Sequence, residues 1–224
     1  GGRGFEAGDL KFRDLNGDGR IDEGENTVYN PGDRRIIGNS LPRYSFGINL
    51  GANWNNFYIN TFFHGVLQQD WYPSSEANHF WGGYNRIYND IPNWHLDDGV
   101  IWTPENTDAF FPRYVGYIAL GSNRSLGAPQ TKYLMNVAYV RLKNLQIGYN
   151  LPQSLIADLG LANARVYMTG ENLWSWSPLY RTANNVDIEA ITSPSDQLFT
   201  GSNSGDGLNY PRLSSIAFGL SITF

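Results

Sequence analysis

The last residues of the chain, "SSIAFGLSITF" (Ser214–Phe224), decide how the rest is read. Ile216, Phe218, Leu220, Ile222 and Phe224 fall on one side of a period of two, and Ser215, Ala217, Gly219, Ser221 and Thr223 fall on the other. An unbroken alternation of that kind is a β-strand with one apolar and one small, polar face. Alternation alone suits two architectures. A soluble sandwich buries the apolar face against a second sheet, whereas a membrane barrel turns it to lipid.

Connection lengths separate the two. Upstream, "RYSFGINLGA" alternates with Tyr44, Phe46, Ile48 and Leu50 on one face. The turn "NWNN" (Asn53–Asn56) leads into "FYINTFFHGVLQ", whose aromatics occupy both faces and leave its inward side open. "MNVAYVRLKNLQIGYNLP" reads as a long strand whose phase slips near Arg141–Asn144, the mark of a β-bulge. "ARVYMTGENLWSW" is a fourth strand, and the terminal stretch a fifth. Between them the joints run short, very long (Gln69–Lys132), short ("PQSLIADLGL") and long (Pro178–Asn209). Tight turns on one side and large loops on the other are the pattern of an antiparallel transmembrane β-barrel.

Composition agrees with an all-β chain. Of 224 residues, 15% are aromatic and 17% charged, with 25 glycines. Disordered chains lack the aromatics, and helical bundles need more Ala, Leu, Glu and Lys. A net charge of −5 gives no footprint for nucleic acid. The absence of cysteine excludes disulfides and thiolate metal sites. No apolar run is long enough for a transmembrane helix. The chain opens on "GGRGFEAGD" without Met or a signal peptide, so it reads as a piece of a longer precursor.

Near the start, "DLNGDGRIDEGE" (Asp14–Glu25) has the spacing of a twelve-residue calcium loop. Asp14, Asn16, Asp18, Asp22 and Glu25 offer side-chain oxygens and Arg20 its carbonyl, while Gly19 makes the sharp turn. Ca2+ held there would be structural, because no helix pair flanks the loop to transmit a signal. The other reading is a polar Asp-Gly turn without metal.

The blocks "GDLKFRDLNGDGRID", "IIGNSLPRYSFGINL", "YVRLKNLQIGYNLP", "ARVYMTGENLWSWSPLY" and "YPRLSSIAFGLSITF" together resemble the C-terminal part of SusC/RagA-like TonB-dependent outer-membrane transporters. The resemblance implies about five strands of a barrel of about twenty-two, located in the bacterial outer membrane. It implies residues 1–41 as an extracellular loop with the calcium motif, 42–68 as a strand hairpin, 69–133 as a long extracellular loop and 134–224 as the last three strands. It further implies TonB-driven import of glycan or peptide cargo, contact with outer-membrane lipid, a SusD-like surface lipoprotein as partner, and the TonB complex reached through absent N-terminal parts. Phe218, Leu220, Ile222 and Phe224 would form the terminal signal for barrel assembly.

Loop aromatics form the remaining candidate site. Trp71, Tyr72, Trp81, Tyr84, Trp94 and Trp102, with Phe80 and Tyr88, suit a surface that stacks on sugar rings or docks the lipoprotein. They equally suit a small core that packs the loop. Tyr149 and Trp174, near strand ends, fit an interfacial aromatic girdle. His64, His79 and His95 are too scattered for a metal site, and Asp97–Asp98 has no partner for glycoside chemistry. No nucleophile elbow, phosphate loop or zinc motif occurs, so an enzyme is not expected. The rival of another class is a secreted, calcium-stabilised β-sandwich that binds carbohydrate.

Overall fold

A computed structural model describes residues 5–75, 77–85, 88, 90–121, 124–191 and 212–224. Most of the second long loop expected from the sequence, and Tyr210–Pro211 of the terminal block, lie outside them. The chain divides into two compact units.

One unit comprises Leu41–Gln69, Asn136–Ile188 and Tyr210–Phe224. It is built on a five-stranded antiparallel sheet in the order β1 (Arg43–Trp54), β2 (Phe57–Gln68), β5 (Tyr139–Asn150), β6 (Asn163–Trp176) and β7 (Ser215–Thr223). The five strands lie side by side in chain order, joined by short connections at β1–β2 and β5–β6 and by long excursions at β2–β5 and β6–β7. The β1–β2 turn is Asn55–Asn56, with Asn55 in the left-handed region (φ 49°). The β5–β6 connection holds one helical turn, α2 (Gln153–Ile156), and ends on Gly160 at φ 68°, which lets the chain reverse.

Register settles the faces. Ile59 pairs with Ala52 and Ile147, Ile147 with Met168, and Met168 with Phe218. Residues opposite each other share a face. The apolar face therefore runs across all five strands: Ile48 and Leu50, Ile59 and Phe63, Leu145 and Ile147, Val166 and Met168, then Phe218 and Leu220. β2, ambiguous in sequence, places Phe57, Ile59 and Phe63 on it and Tyr58, Asn60, Phe62 and His64 on the polar face. Those polar-face rings are accommodated by glycine. Tyr58 lies over Gly148, Tyr167 over Gly219, and Phe62 against Gly47, where an added Cβ would collide with or crowd the ring.

The bulge expected near Arg141–Asn144 falls at Lys143. Phe62 pairs with Asn144 and Phe63 with Leu142, leaving Lys143 as the extra residue. Across β6 the ladder jumps from Trp174 to Glu171, and Asn172 sits there at φ 51°. The long strand expected from Met135 is interrupted: Met135–Asn136 forms a separate two-residue strand, β4, and Asn136 Oδ1 accepts the amide of Ala138 at 2.9 Å. A side chain that captures its neighbour's amide competes with ladder pairing.

The other unit comprises Gly1–Ser40, Asp70–Met135 and Glu189–Asn209. It holds β3 (Asp70–Trp71), which pairs with β4, and a four-residue helix, α1 (Asn78–Trp81). Short 3-10 turns and irregular backbone make up the rest of its described part. Among the described residues no helix is long and apolar enough to cross a membrane.

Candidate functional site

The apolar sheet face is the first candidate. Phe218 is 81% exposed, Leu220 60% and Trp54 74%. Large apolar side chains on one continuous face, left uncovered by their own unit, exceed what a water-soluble surface tolerates. Aromatics border this face at both ends. Trp54, Phe57 and Tyr149 stand at the turn end, where Phe57 and Tyr149 rings lie 4.6 Å apart, and Trp174 and Trp176 stand at the opposite end. Both long excursions leave from the strand ends opposite the short turns, as connectivity requires. The opposite face carries Ser45, Asn49, Asn60, Gln146, Arg165, Thr169, Glu171 and Ser221.

The acidic loop folds by Asx-type bonds. Asp14 accepts the amides of Gly17 at 2.6 Å and Gly19 at 2.9 Å, Asn16 that of Asp18 at 3.0 Å, Asp18 that of Arg20 at 2.8 Å, and Asp22 that of Gly24 at 2.8 Å. Short polar side chains followed by glycine favour this geometry. The sequence reading missed Asp33. Its carboxylate accepts Leu15 N at 2.7 Å and Asp22 N at 2.9 Å, bridging the second and ninth positions of the loop, and these bonds hold its pKa below the usual value. The Glu25 carboxylate accepts none of these bonds. Arg34 links Glu23 and Asn26 nearby. Among the described residues no three His, Asp or Glu side chains are gathered to hold a metal. The donor set is all oxygen and suits a hard cation, while in this structure its carboxylates face the loop's own amides.

The loop aromatics form a core. Phe80 is fully buried, with ring centroids of Trp81 at 4.8 Å, Trp71 at 5.7 Å, Phe111 at 5.8 Å, Trp94 at 5.9 Å, and Phe110 and Tyr133 at 6.4 Å. Most of these contacts are edge-on, the arrangement aromatic quadrupoles favour. Polar tips are bonded to backbone: Tyr84 Oη donates to Pro112 O at 2.6 Å, Trp81 Nε1 to Ser74 O at 2.7 Å and Tyr133 Oη to Phe110 O at 3.0 Å. Burial pushes the phenols of Tyr84 and Tyr133 upward and that of Tyr72 to about 12. The His95 ring packs against Phe111 at 4.7 Å, with Nε2 2.8 Å from Phe80 O, and burial lowers its pKa.

This corrects the contact reading for Trp71, Trp81 and Tyr84. They are buried, and their faces meet other rings, so they offer no stacking surface. Tyr72, Trp94 and Trp102 are half-buried, and Tyr88 is exposed. Trp102 packs on the backbone at Gly8, whose neighbour Asp9 holds Arg113 through two bonds at 3.1 and 3.2 Å. A sequence search for aromatic density finds the cluster but cannot say which rings are inside. Of the terminal residues, Phe218, Leu220 and Ile222 lie on the uncovered apolar side of β7, and Phe224 follows the end of the strand and is exposed.

Comparison with known proteins gives the class. TonB-dependent receptor P26 of Formosa agariphila is 27% identical over 219 residues, covering 97% of this chain and 20% of that receptor. TonB-dependent receptor P3 of the same organism is 29% identical over 214 residues, covering 95% of this chain and 19% of its own length. The chain thus spans about a fifth of the curated relatives it matches. No protein-family model matches it. Among solved structures, the RagAB peptide importer in its open-open state is 27% identical, covering 64% of this chain and 14% of that one, with a TM-score of 0.45. The RagAB peptide transporter is 26% identical at 64% and 15% coverage, with a TM-score of 0.47. The resemblance read from the five sequence blocks holds at that level: over nearly its whole length this chain is similar to TonB-dependent receptors.

Proposed function

We propose that the chain is the C-terminal portion of an outer-membrane β-barrel that imports bulky nutrients, glycans or peptides, with energy from the TonB complex. A SusD-like surface lipoprotein is its partner at the outer mouth. The observation that carries this reading is the apolar face, continuous over five strands, uncovered and bordered by aromatics at both ends. Such a face meets lipid, and the opposite polar face lines the passage. A carbohydrate-binding sandwich would need a second sheet over the same residues, which gives the transporter reading the advantage. Residues 1–41 and 69–133 are then extracellular, and the aromatic core stiffens the larger loop. Contact with cargo or lipoprotein falls to the outer surface of that loop, with Tyr72, Trp94 and Trp102 as its half-buried members. Ca2+ in the Asp14–Glu25 loop is proposed as a structural ion, held by Asp14, Asn16, Asp18, Asp22, Glu25 and the Arg20 carbonyl.

The test compares neighbours on β7 in the full-length transporter. Leu220→Arg puts a charge on the apolar face and should cost about 2–4 kcal/mol near mid-membrane. Ser221→Arg puts it on the polar face and should be tolerated. Outer-membrane yield and heat-modifiable gel mobility report assembly. Equal yield of both variants would remove the lipid-facing assignment.

A further inference from the structure

The polar sheet face carries a feature that its transport role does not require. Beyond β6, residues 178–188 do not run outward from the strand ends. Ser177 Oγ accepts the Leu179 amide at 3.2 Å and starts a 3-10 turn at Pro178–Arg181, after which Leu179, Ala183, Val186 and Ile188 are all buried. The side chains that tie this segment down belong to the polar face. Ser175 Oγ lies 3.2 Å from Tyr180 Oη. Arg141 Nη2 donates to Asp187 Oδ1 at 2.8 Å, and the Arg212 amide donates to Asp187 Oδ2 at 2.9 Å.

Arg141 is in register with His64 and Ser175, two residues inside the start of β5. At about 3.3 Å per residue the contact is set in from the rim of the sheet. The apolar side stays open there, with Trp174 51% and Trp176 47% exposed. The segment therefore folds over the polar face and away from the apolar one. The Arg141 and Asp187 side chains are 7% and 5% exposed, so the pair is desolvated. A buried pair is a weak source of net stability, yet removing one partner is strongly destabilising because the other charge is left alone. Both Asp187 oxygens are engaged, each by a different part of the chain, which makes one carboxylate the fastening point for three segments.

We propose that residues 178–188 are an inward-folded strap that narrows the passage, clasped by Asp187 as a positioning residue. This rests on the barrel reading, since only in a barrel is the polar face a passage wall. Asp187 joins the strap to β5 and to the approach to β7, so the strap follows the wall and stays in place while cargo passes.

The experiment uses the full-length transporter in a background without reactive thiols. This chain contributes none. Ala183→Cys places a thiol at a fully buried strap position, and a membrane-impermeant maleimide added to intact cells reads its exposure. Labelling should be slow in the otherwise parental protein and about tenfold or more faster when Asp187→Asn is added, as local opening becomes easier. The double change Arg141→Met with Asp187→Leu, which removes both charges of the pair, should return most of the protection. Equal labelling with Asp187 and with Asn overturns the clasp, and fast labelling with Asp187 in place overturns the strap. Heat-modifiable mobility and outer-membrane fractionation are read on the same samples. Protein absent from the outer membrane would defeat the barrel reading, and labelling in detergent would then decide the clasp by itself.

Discussion

Replacing Phe80 by alanine in the full-length protein removes the ring at the centre of the loop core. The side chain is fully buried and touches Trp71, Trp81, Trp94, Phe110, Phe111 and Tyr133. Transfer of a phenyl group back to water accounts for about 1.5–3 kcal/mol. The residual cavity between stiff rings, together with lost edge-to-face contacts, brings the total to about 3–5 kcal/mol. The loss falls on the loop rather than on the sheet, because among the described residues the rings that meet Phe80 all lie between Trp71 and Tyr133. Limited proteolysis of the inserted protein is the assay. When opening is fast relative to cleavage, the rate follows the open population, so cleavage within 69–133 should rise about a hundredfold or more while the barrel keeps its heat-modifiable mobility. Leu96→Ala, at a position 72% exposed, is the control and should shift stability by less than about 0.5 kcal/mol. Identical cleavage of the two variants would refute the core.

Two further outcomes are expected. His95 is depressed by burial below its ordinary value of 6.5, so the unfolded loop binds more protons than the folded one once pH drops. Its contribution is full above about pH 6.5 and is lost as pH falls below that value; loop cleavage should accelerate on acidification, and His95→Gln should flatten that dependence. For the acidic loop, calorimetric titration of the full-length protein with Ca2+ should show one binding event, and Asp14→Ala should abolish it. The absence of heat in the parent, with no effect of chelator on melting, would leave the loop as a metal-free set of Asx turns.

β7 was legible because its period of two is unbroken and its two faces differ in chemistry. β2 was not, because Tyr58 and Phe62 put rings on the polar face. What makes them tolerable there is glycine on a neighbouring strand: Gly148 is 90 residues downstream of Tyr58, and no local window contains both. The oxygen spacing of Asp14–Glu25 was visible as a pattern, whereas Asp33 lies beyond an intervening Pro-Gly turn and reaches the loop only through folding. Aromatic density marked the long loop as ordered. Which rings are interior depends on contacts such as Trp71 with Phe80 and Phe111 with Tyr133, which periodicity does not encode. The Arg141–Asp187 pair joins a strand to a loop, and each residue alone looks like an ordinary surface charge.

The ring-over-glycine pairs have a consequence for how a wall feels to something sliding along it. A tyrosine standing up from a strand is a post. Lying across Gly148 or Gly219, as Tyr58 and Tyr167 do, it is paving. The polar face thereby gains the area and stiffness of aromatic groups without their height, and its relief stays shallow. If the polar face lines a passage, as proposed above, a bulky solute moving past would meet few ledges on which to lodge, and its traffic along this stretch would be governed by friction against a smooth polar floor rather than by successive stacking stops.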